Sequence, residues 1–192
     1  MQGQLPKRST DRGVTIIELL IVIAIIGVLV TLALPRISVA RYKMNTGMRI
    51  VGTGLLTAQR RAVSAQHDVI VTFNPTTHVI NVIEDANNNG KRDAGERSRA
   101  ISQGEGVLIG RGATPGHAVG LGPVTFTRTV GGLPAVTFHR NGSASEYGGV
   151  YLTSRRAIQT GSHVEDTRLI VVERSTGRVS WFNYATQWNR GF

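Results

Sequence analysis

The chain has 192 residues, with 22 lysines and arginines against 12 aspartates and glutamates, and it has no cysteine. This length suits one domain of ordinary size plus a short additional segment, and the lack of cysteine excludes disulfide scaffolds and thiol chemistry. The net charge of +10 favours an acidic partner such as nucleic acid, phospholipid headgroups or an acidic protein, although such a surplus can also serve solubility alone.

A basic leader of residues 1–13 precedes a long apolar run. From Leu19 to Leu34 every residue except Thr31 is apolar or small. A helix over residues 14–34 would be roughly 30 Å long, which is enough to cross a bilayer. We therefore predict a transmembrane helix at 14–34. The cations of the leader place it in the cytoplasm and the rest of the chain beyond the inner membrane.

One carboxylate, that of Glu18, lies inside the start of this span. A charge within a bilayer costs on the order of 3 kcal/mol, so Glu18 should have a charged partner. No cation lies within helical reach on the apolar side. If the chain is cut after Gly13, the free amine of Val14, on the same chain or a neighbouring copy, is the obvious candidate.

Gly13, an apolar residue, Thr-Ile-Ile-Glu and a long apolar helix together resemble the prepilin signal of type IV pilins and type II secretion pseudopilins. In that family a membrane peptidase cuts after the glycine and methylates the new N-terminus. The resemblance implies cleavage between Gly13 and Val14, N-methylation of Val14, and a role for Glu18 in subunit assembly. It also implies that Gly27 and Pro35 weaken the helix. The first residue after the cut is usually Phe in the family and is Val14 here.

Simpler interpretations of this segment explain less of it. A secretory signal has its cleavage site after the apolar run, whereas Pro35-Arg36 follows here without a small-x-small site. A plain membrane anchor, or an isolated membrane-tethered β-domain, gives no reason for Glu18 or for the junction at Gly13.

Residues 35–66 are predicted to continue as an amphipathic helix after a kink or break at Pro35. Apolar side chains recur there at spacings of three and four and form one stripe. The stripe consists of Met44, Met48, Val51, Leu55, Ala58, Ala62 and Ala65. Two heptads are too few to favour a coiled coil. Gly47, Gly52 and Gly54 each weaken the helix by ~1 kcal/mol relative to alanine, so we expect a soft middle.

Residues 67–192 show short β-rich runs separated by glycine, proline and asparagine. The predicted strands are Val69–Asn74, His78–Glu84, Arg97–Ile101, Val107–Ile109, Val124–Arg128, Ala135–His139, Val150–Thr153, Arg168–Glu173 and Val179–Phe182. Hairpin turns are expected at Pro75-Thr76-Thr77, Gly131-Gly132 and Thr176-Gly177, and Asn183–Phe192 has no assignment. The predicted fold is therefore α+β, with a long N-terminal helix packed on antiparallel strands of a periplasmic domain, as in pilins.

Two segments of this domain narrow the resemblance. Residues 137–143 and 171–179, with the Asp-Ala-Asn-rich loop that begins at Asp85, look like the globular signature of the minor pseudopilin H and FimT-type branch (GspH/FimT). This implies a minor pseudopilin that assembles with other pilin-like subunits into a type II secretion filament driving protein export. The alternative is a minor type IV pilin that binds DNA for uptake or pilus biogenesis. Both machines use the same N-terminus, so the sequence leaves both interpretations open.

The loop of residues 85–96 fits the twelve-residue calcium loop at every required position. Its ligands would be side-chain oxygens of Asp85, Asn87, Asn89 and Asp93, the carbonyl of Lys91, and both carboxylate oxygens of Glu96. Gly90 permits the sharp turn. Because Lys91, Arg92 and Arg97 compete with a cation, only weak binding is expected. The alternative is a solvated hairpin tip that turns at Asn89-Gly90.

Arginines and aromatic residues are concentrated in the C-terminal third of the chain. Cations contact phosphates, and aromatic rings stack on unpaired bases. The candidate DNA contacts are Arg155, Arg156, Arg174, Arg178 and Arg190. FimT-type relatives carry Gly-Arg-x-Arg near the C-terminus, and here Ser180 replaces the second arginine, which weakens this interpretation. The alternative is an arginine-rich strand surface with both tryptophans in the core or at a subunit contact.

No pattern of an enzyme emerges from the sequence. The five histidines have neither HxxxH nor HExxH spacing, and no serine lies in a G-x-S-x-G turn. Residues 110–116 are rich in glycine but lack the Gly-Lys-Ser/Thr of a phosphate-binding loop. We therefore expect a structural subunit, with calcium as the one cofactor that the sequence suggests.

Overall fold

The computed structural model describes residues 14–33 and 39–191, and the chain divides into two units between residues 38 and 39. In the first unit, α1 (Ile16–Ala33) is a helix of 18 residues. The hydroxyl of Thr15 accepts a hydrogen bond from the backbone N–H of Glu18 at 3.3 Å and so caps the helix. In the part of the chain that the structure describes, no helix combines the length and apolarity needed to cross a membrane.

Three of the predicted N-terminal features fall on described residues. Val14 and Glu18 are exposed, and nothing lies within 4 Å of the position that a β-carbon on Gly27 would take. Gly13, Pro35 and the leader 1–13 lie outside the described residues. The transmembrane span at 14–34 and the kink at Pro35 therefore stay predictions.

The second unit is built on α2 (Val39–Ala65), a helix of 27 residues. Its buried face contains Met44, Met48, Val51, Leu55, Ala58 and Ala62, as the apolar stripe predicts, and Ala65 is half-buried. Gly52 and Gly54 bring the helix close to the strands. A β-carbon at Gly54 would stand 2.5 Å from Ile101 Cδ1, and one at Gly52 would overlap the indole of Trp181. Close packing thus offsets the helix-weakening effect of these glycines.

In the described residues after α2, the chain forms ten strands, one further helix and one 3₁₀ turn. The strands are β1 (Asp68–Phe73), β2 (Ile80–Asp85), β3 (Ser98–Ile101), β4 (Val107–Ile109), β5 (Thr129–Val130), β6 (Leu133–Phe138), β7 (Gly148–Ser154), β8 (Arg168–Val172), β9 (Val179–Tyr184) and β10 (Trp188–Arg190). Helix α3 (Arg155–Thr160) follows β7 directly, and the 3₁₀ turn Val164–Asp166 precedes β8.

The strands form two antiparallel sheets of five strands each. The first has the order β3-β2-β1-β6-β5 and the second the order β10-β9-β8-β7-β4. The main core lies between α2 and the inner faces of both sheets. Its fully buried side chains include Leu55, Phe73, Ile80, Phe138, Leu152 and Ile170. The α+β architecture with a long helix on antiparallel strands is confirmed.

Most predicted strands are present within a few residues, but Val124–Arg128 is wrong as a strand. Only Val124 forms an isolated bridge, with Val150. The backbone N–H groups of Thr127 and Arg128 instead donate to the Glu146 carboxylate, at 3.1 and 2.9 Å. A side chain thus takes the place of a strand partner there, and the short strand β5 begins only at Thr129.

Candidate functional site

The N-terminal candidate site consists of Val14 and Glu18 in the first unit. Every described side chain from Val14 to Leu29 is exposed. The Glu18 carboxylate has no hydrogen bond or ion pair among the described residues, so it is free to contact another chain. An exposed apolar helix surface marks a site of contact with a membrane or with another protein.

The predicted calcium loop connects β2 to β3 and is held by its own side chains. Asp85, at the end of β2, is fully buried and accepts the backbone N–H groups of Asn89 and Gly90 at 3.0 and 2.7 Å. Asn87 and Asn89 accept the N–H groups two residues further along, at 3.1 and 2.8 Å. Gly90 has a φ of 71°, as the sharp turn requires. The loop is therefore a hairpin connection whose backbone is held by hydrogen bonds to its own side chains.

Asp93 occupies the place of the fourth side-chain ligand. It accepts the side-chain amide groups of Asn87 and Asn89 at 2.8 and 2.5 Å, and these bonds hold its pKa below the ordinary value. A calcium ion would need the amide oxygens there instead, so both amides would have to rotate. One oxygen of Glu96 accepts the Asp93 N–H at 3.0 Å, while Oε1 is buried without a hydrogen-bond partner. That oxygen fits a cation ligand.

Across residues 14–33 and 39–191, no group of three or more histidine, cysteine, aspartate or glutamate side chains is placed to hold a metal ion. The calcium site stays a prediction, and its ligands would have to include the asparagine and backbone oxygens of the loop. Binding must replace two Asn–Asp93 hydrogen bonds, which is a physical reason for low affinity.

We expect calcium to bind the loop with a dissociation constant on the order of 10⁻⁴–10⁻³ M, the range of extracellular modules. Titration calorimetry on the full chain in detergent is the measurement, and Glu96→Ala, which removes two ligand oxygens, is the control. An absence of heat at millimolar calcium would leave the hairpin connection as the sole role of the loop.

The five candidate DNA contacts do not form one surface. Helix α3, with Arg155 and Arg156, follows the end of β7. Arg174 and Arg178 lie in the turn between β8 and β9, and Gly148, at the start of β7, pairs with Val172 at the end of β8. Because β7 and β8 are antiparallel, the two groups of arginines lie at opposite ends of the second sheet.

Arg156 is committed to an ion pair inside the domain. Its Nε and Nη2 donate to Asp166 at 2.6 and 2.9 Å, and Ser154 Oγ donates to the same carboxylate at 2.6 Å. Asp166 is fully buried. Burial alone would raise the pKa of Asp166, but the bonds from Arg156 and Ser154 outweigh it and hold this pKa below its ordinary value. The hydrogen bond to Asp166 likewise raises the pKa of Arg156.

Arg190 and the C-terminal aromatic residues share the outer face of the second sheet. Arg190 Nη2 lies 3.4 Å from Ser180 Oγ, and Trp188 pairs with Tyr184 across the β9–β10 hairpin. Trp188 and Tyr184 have ring centroids 5.2 Å apart. Trp181 lies on the opposite face and packs against the main core, as the alternative interpretation of the tryptophans predicts.

The two signature segments meet at the junction of the two sheets. The side-chain amide of Gln59 on α2 donates to the carbonyls of Gly142 and Thr176, both at 2.8 Å. The N–H of Ala144 donates to the carbonyl of Arg174 at 2.8 Å. Gly177 has a φ of 60°, and a β-carbon on it would collide with the Gly142 carbonyl. The two segments therefore have a structural role, because their contacts connect α2 to both sheets.

Comparison with known proteins gives two matches in sequence. A family model described as the prokaryotic N-terminal methylation motif matches residues 8–34, which include Gly13, Val14 and Glu18. The pilin-like protein PilA1 of Thermus thermophilus is 34% identical over 98 residues, which are 50% of this chain and 63% of PilA1. Over these residues the chain is similar to pilin-like proteins. It spans less than two thirds of the length of PilA1.

One solved structure aligns with part of this chain. The minor pseudopilin EpsH from the type 2 secretion system of Vibrio cholerae aligns with a TM-score of 0.47 and 10% sequence identity. The alignment covers 73% of this chain and 97% of EpsH. At this level the likeness carries no conclusion about function.

Several residues that organise the domain carry no signal in the sequence. Gln59 and Asp166 belong to no motif, and each acts on residues that only the fold brings near. Arg168 is similar: it is buried, and its guanidinium donates to Asn45 Oδ1 at 2.9 Å and to the Glu165 carbonyl at 2.7 Å. Burial lowers the pKa of Arg168 from its ordinary value. The position of Arg168 at the start of an apolar strand is the one hint of such a role.

Proposed function

We propose that the chain is a minor pseudopilin subunit of a type II secretion system. A prepilin peptidase removes residues 1–13, residues 14–34 anchor the chain in the inner membrane, and residues 39–192 lie in the periplasm. The processed subunit joins other pilin-like subunits in a filament that drives protein export. The observation that carries this proposal is the position of Glu18, four residues after Val14, in the segment that the N-terminal methylation motif matches.

The assembly step follows from the charges of this segment. Cleavage after Gly13 creates an amine at Val14, and the unpaired Glu18 carboxylate can attract the amine of a neighbouring subunit. In apolar surroundings this attraction is much stronger than in water. It aligns two α1 helices side by side with an offset of about one helical turn, and their exposed apolar side chains then pack together. The chain acts as a structural subunit and not as an enzyme.

The experiment for the proposed processing uses Gly13→Val. A bulkier residue before the cut should block the peptidase, so residues 1–13 stay attached and the amine needed for assembly never forms. Mass spectrometry of membrane-extracted protein, in cells with an active prepilin peptidase, reads the N-terminus directly. Arg12→Gln, which leaves the glycine in place, is the control. A wild-type protein that begins at Met1 in such cells would contradict the whole proposal.

A second function, DNA binding by a minor type IV pilin, is favoured by one observation. Arg190 shares the outer face of the second sheet with Tyr184 and Trp188, so a cation and stacking rings lie together. The commitment of Arg156 to Asp166 and the separation of the remaining arginines speak against it. The neighbouring genes distinguish the two machines. Genes for a secretion ATPase and a secretin would indicate type II secretion, and genes for pilus retraction and competence would indicate a type IV pilus.

Salt dependence distinguishes the two functions. We expect no DNA complex of the full chain at ~150 mM salt beyond weak non-specific binding. Specific binding would fall with a log–log slope near −0.9 per neutralised phosphate, and Arg178→Ala would make that slope shallower by about one. A gel-shift titration at several salt concentrations measures both. A sub-micromolar complex at ~150 mM that is lost on Arg178→Ala would favour DNA uptake instead.

A further inference from the structure

Strand β3 is an open edge of the first sheet. Its register with β2 sets which backbone groups are free: Arg99 pairs with Val82, and the N–H of Glu84 donates to the carbonyl of Arg97 at 2.9 Å. In an antiparallel ladder the bonded residues alternate. The N–H and C=O groups of Ser98 and Ala100 therefore point away from β2, and both residues are exposed. No described strand pairs with this edge.

A groove runs between this edge and α2. Its first part has a volume of about 220 Å³ and lies between Thr57, Ala58 and Arg61 of the helix and the side chains of Val82, Glu84, Arg97 and Arg99. A second part continues past Gly54 to Ile101 and Ser102. Between Ile50 and Arg61, the helix side of the groove is formed by the small residues Thr53, Gly54, Thr57 and Ala58, so an additional backbone can approach closely there.

The charge of the groove is positive. Arg61 pairs with Glu84 at 3.1 Å, and His67 Nε2 lies 3.7 Å from the same carboxylate. Arg97 and Arg99 are exposed, and neither guanidinium has a partner among the described residues. Because residues on one face of a strand alternate, both arginines lie on the side of α2, as Ile101 does. Two unpaired cations thus line an unpaired strand edge.

We propose that an acidic, extended segment of a partner protein adds to β3 as a sixth strand of the first sheet. Its backbone bonds to Ser98 and Ala100, and its acidic side chains on the helix side contact Arg97 and Arg99. A strand that extends an open sheet edge gains main-chain hydrogen bonds, and alternate side chains give specificity. The net charge of +10 opposes a second copy of this chain in the same place. The proposal holds for either function considered above, because it concerns residues 54–102 alone.

The test uses the full chain in neutral detergent and a fluorescent decapeptide of alternating glutamate and valine. We expect this peptide to bind at least tenfold more tightly than a lysine–valine decapeptide, by fluorescence anisotropy. The double variant Arg97→Gln/Arg99→Gln should weaken binding at least fivefold. Arg60→Gln/Arg140→Gln removes two exposed arginines elsewhere and should leave the affinity within twofold.

Backbone pairing is tested separately from charge. Ala100→Pro removes an outward N–H while the bonds of Arg99 and Ile101 to β2 remain, so binding should fall at least tenfold. If thermal melting shows that this variant unfolds, a glutamate–valine peptide N-methylated at every residue serves the same purpose with the wild-type chain. Equal affinity for the methylated peptide, or no effect of Arg97→Gln/Arg99→Gln, would overturn the proposal. So would sedimentation showing that a second copy occupies the edge in a dimer lost on Ala100→Pro.

Discussion

A Glu18→Ala variant is expected to be cleaved after Gly13 and to stay in the membrane fraction, yet to be absent from filaments. The substitution makes the apolar segment more apolar, so insertion should not suffer. It removes the only carboxylate of α1, and the amine of Val14 on the neighbouring subunit is then left unpaired. Assembly should fall to background because that amine would have to enter apolar surroundings without a counter-charge.

Fractionation and immunoblotting of sheared filaments measure this effect, with mass spectrometry of the N-terminus as a check on processing. Glu18→Asp keeps the charge on a shorter side chain and is the matched control, for which partial incorporation is expected. Normal incorporation of Glu18→Ala would refute the role of this carboxylate. An uncleaved variant would instead place Glu18 in recognition by the peptidase.

Arg156→Ala is expected to lower the free energy of unfolding by about 1–3 kcal/mol, because it leaves a buried carboxylate with one hydroxyl donor. The lower part of that range is favoured, since the Arg156 side chain is 41% exposed and water screens the pair. Arg155→Ala, which removes the exposed neighbour, should change stability by less than about 0.5 kcal/mol. Urea unfolding of the full chain in detergent, followed by tryptophan fluorescence, compares the two variants.

The same ion pair gives stability a defined dependence on pH. Because the pKa of Asp166 in the folded chain lies below its ordinary value, ionised Asp166 stabilises the fold above about pH 4. This contribution is lost as the pH falls through the folded pKa. The difference between wild type and Arg156→Ala should therefore shrink below about pH 4. A difference that stays constant down to pH 2 would show that packing of the arginine, not the charge pair, is responsible.

The elements that depend on short-range sequence patterns could be predicted from the sequence. The apolar stripe of α2 follows from helical periodicity, and the hairpin at Gly131-Gly132 follows from residues that tolerate a positive φ, 59° and 76° there. Helix α3 was missed because its start depends on Ser154, whose hydroxyl accepts the Ala157 N–H at 3.2 Å at the end of a strand. Strand β10 was missed because it has only three residues and pairs with β9 through a short turn.

The candidate sites divide in the same way. The turn at Gly90 could be predicted because the hydrogen bonds that Asp85, Asn87, Asn89 and Asp93 accept within the loop join residues at most six positions apart, while calcium binding stays a prediction. The separation of the candidate DNA contacts could not be predicted. Arg156 and Arg174 are close in sequence, but only the antiparallel pairing of β7 and β8 places them at opposite ends of the second sheet. The role of Asp166 depends on α3 folding back over the 3₁₀ turn, a contact that no spacing rule contains.

The position of Gln59 has a consequence for the order in which the domain folds. Its two amide hydrogens bond carbonyls 83 and 117 residues away, one from each sheet. Neither bond can form until α2 and the hairpins of both sheets are in place. We therefore expect this contact between α2 and the two sheets to form late in folding. A glutamate there would accept but not donate, and both carbonyls would lose their partner. In the wild-type chain we expect this contact of α2 with the two sheets to open first. Amide hydrogen exchange near Gly142 and Gly177 should be the earliest sign of unfolding.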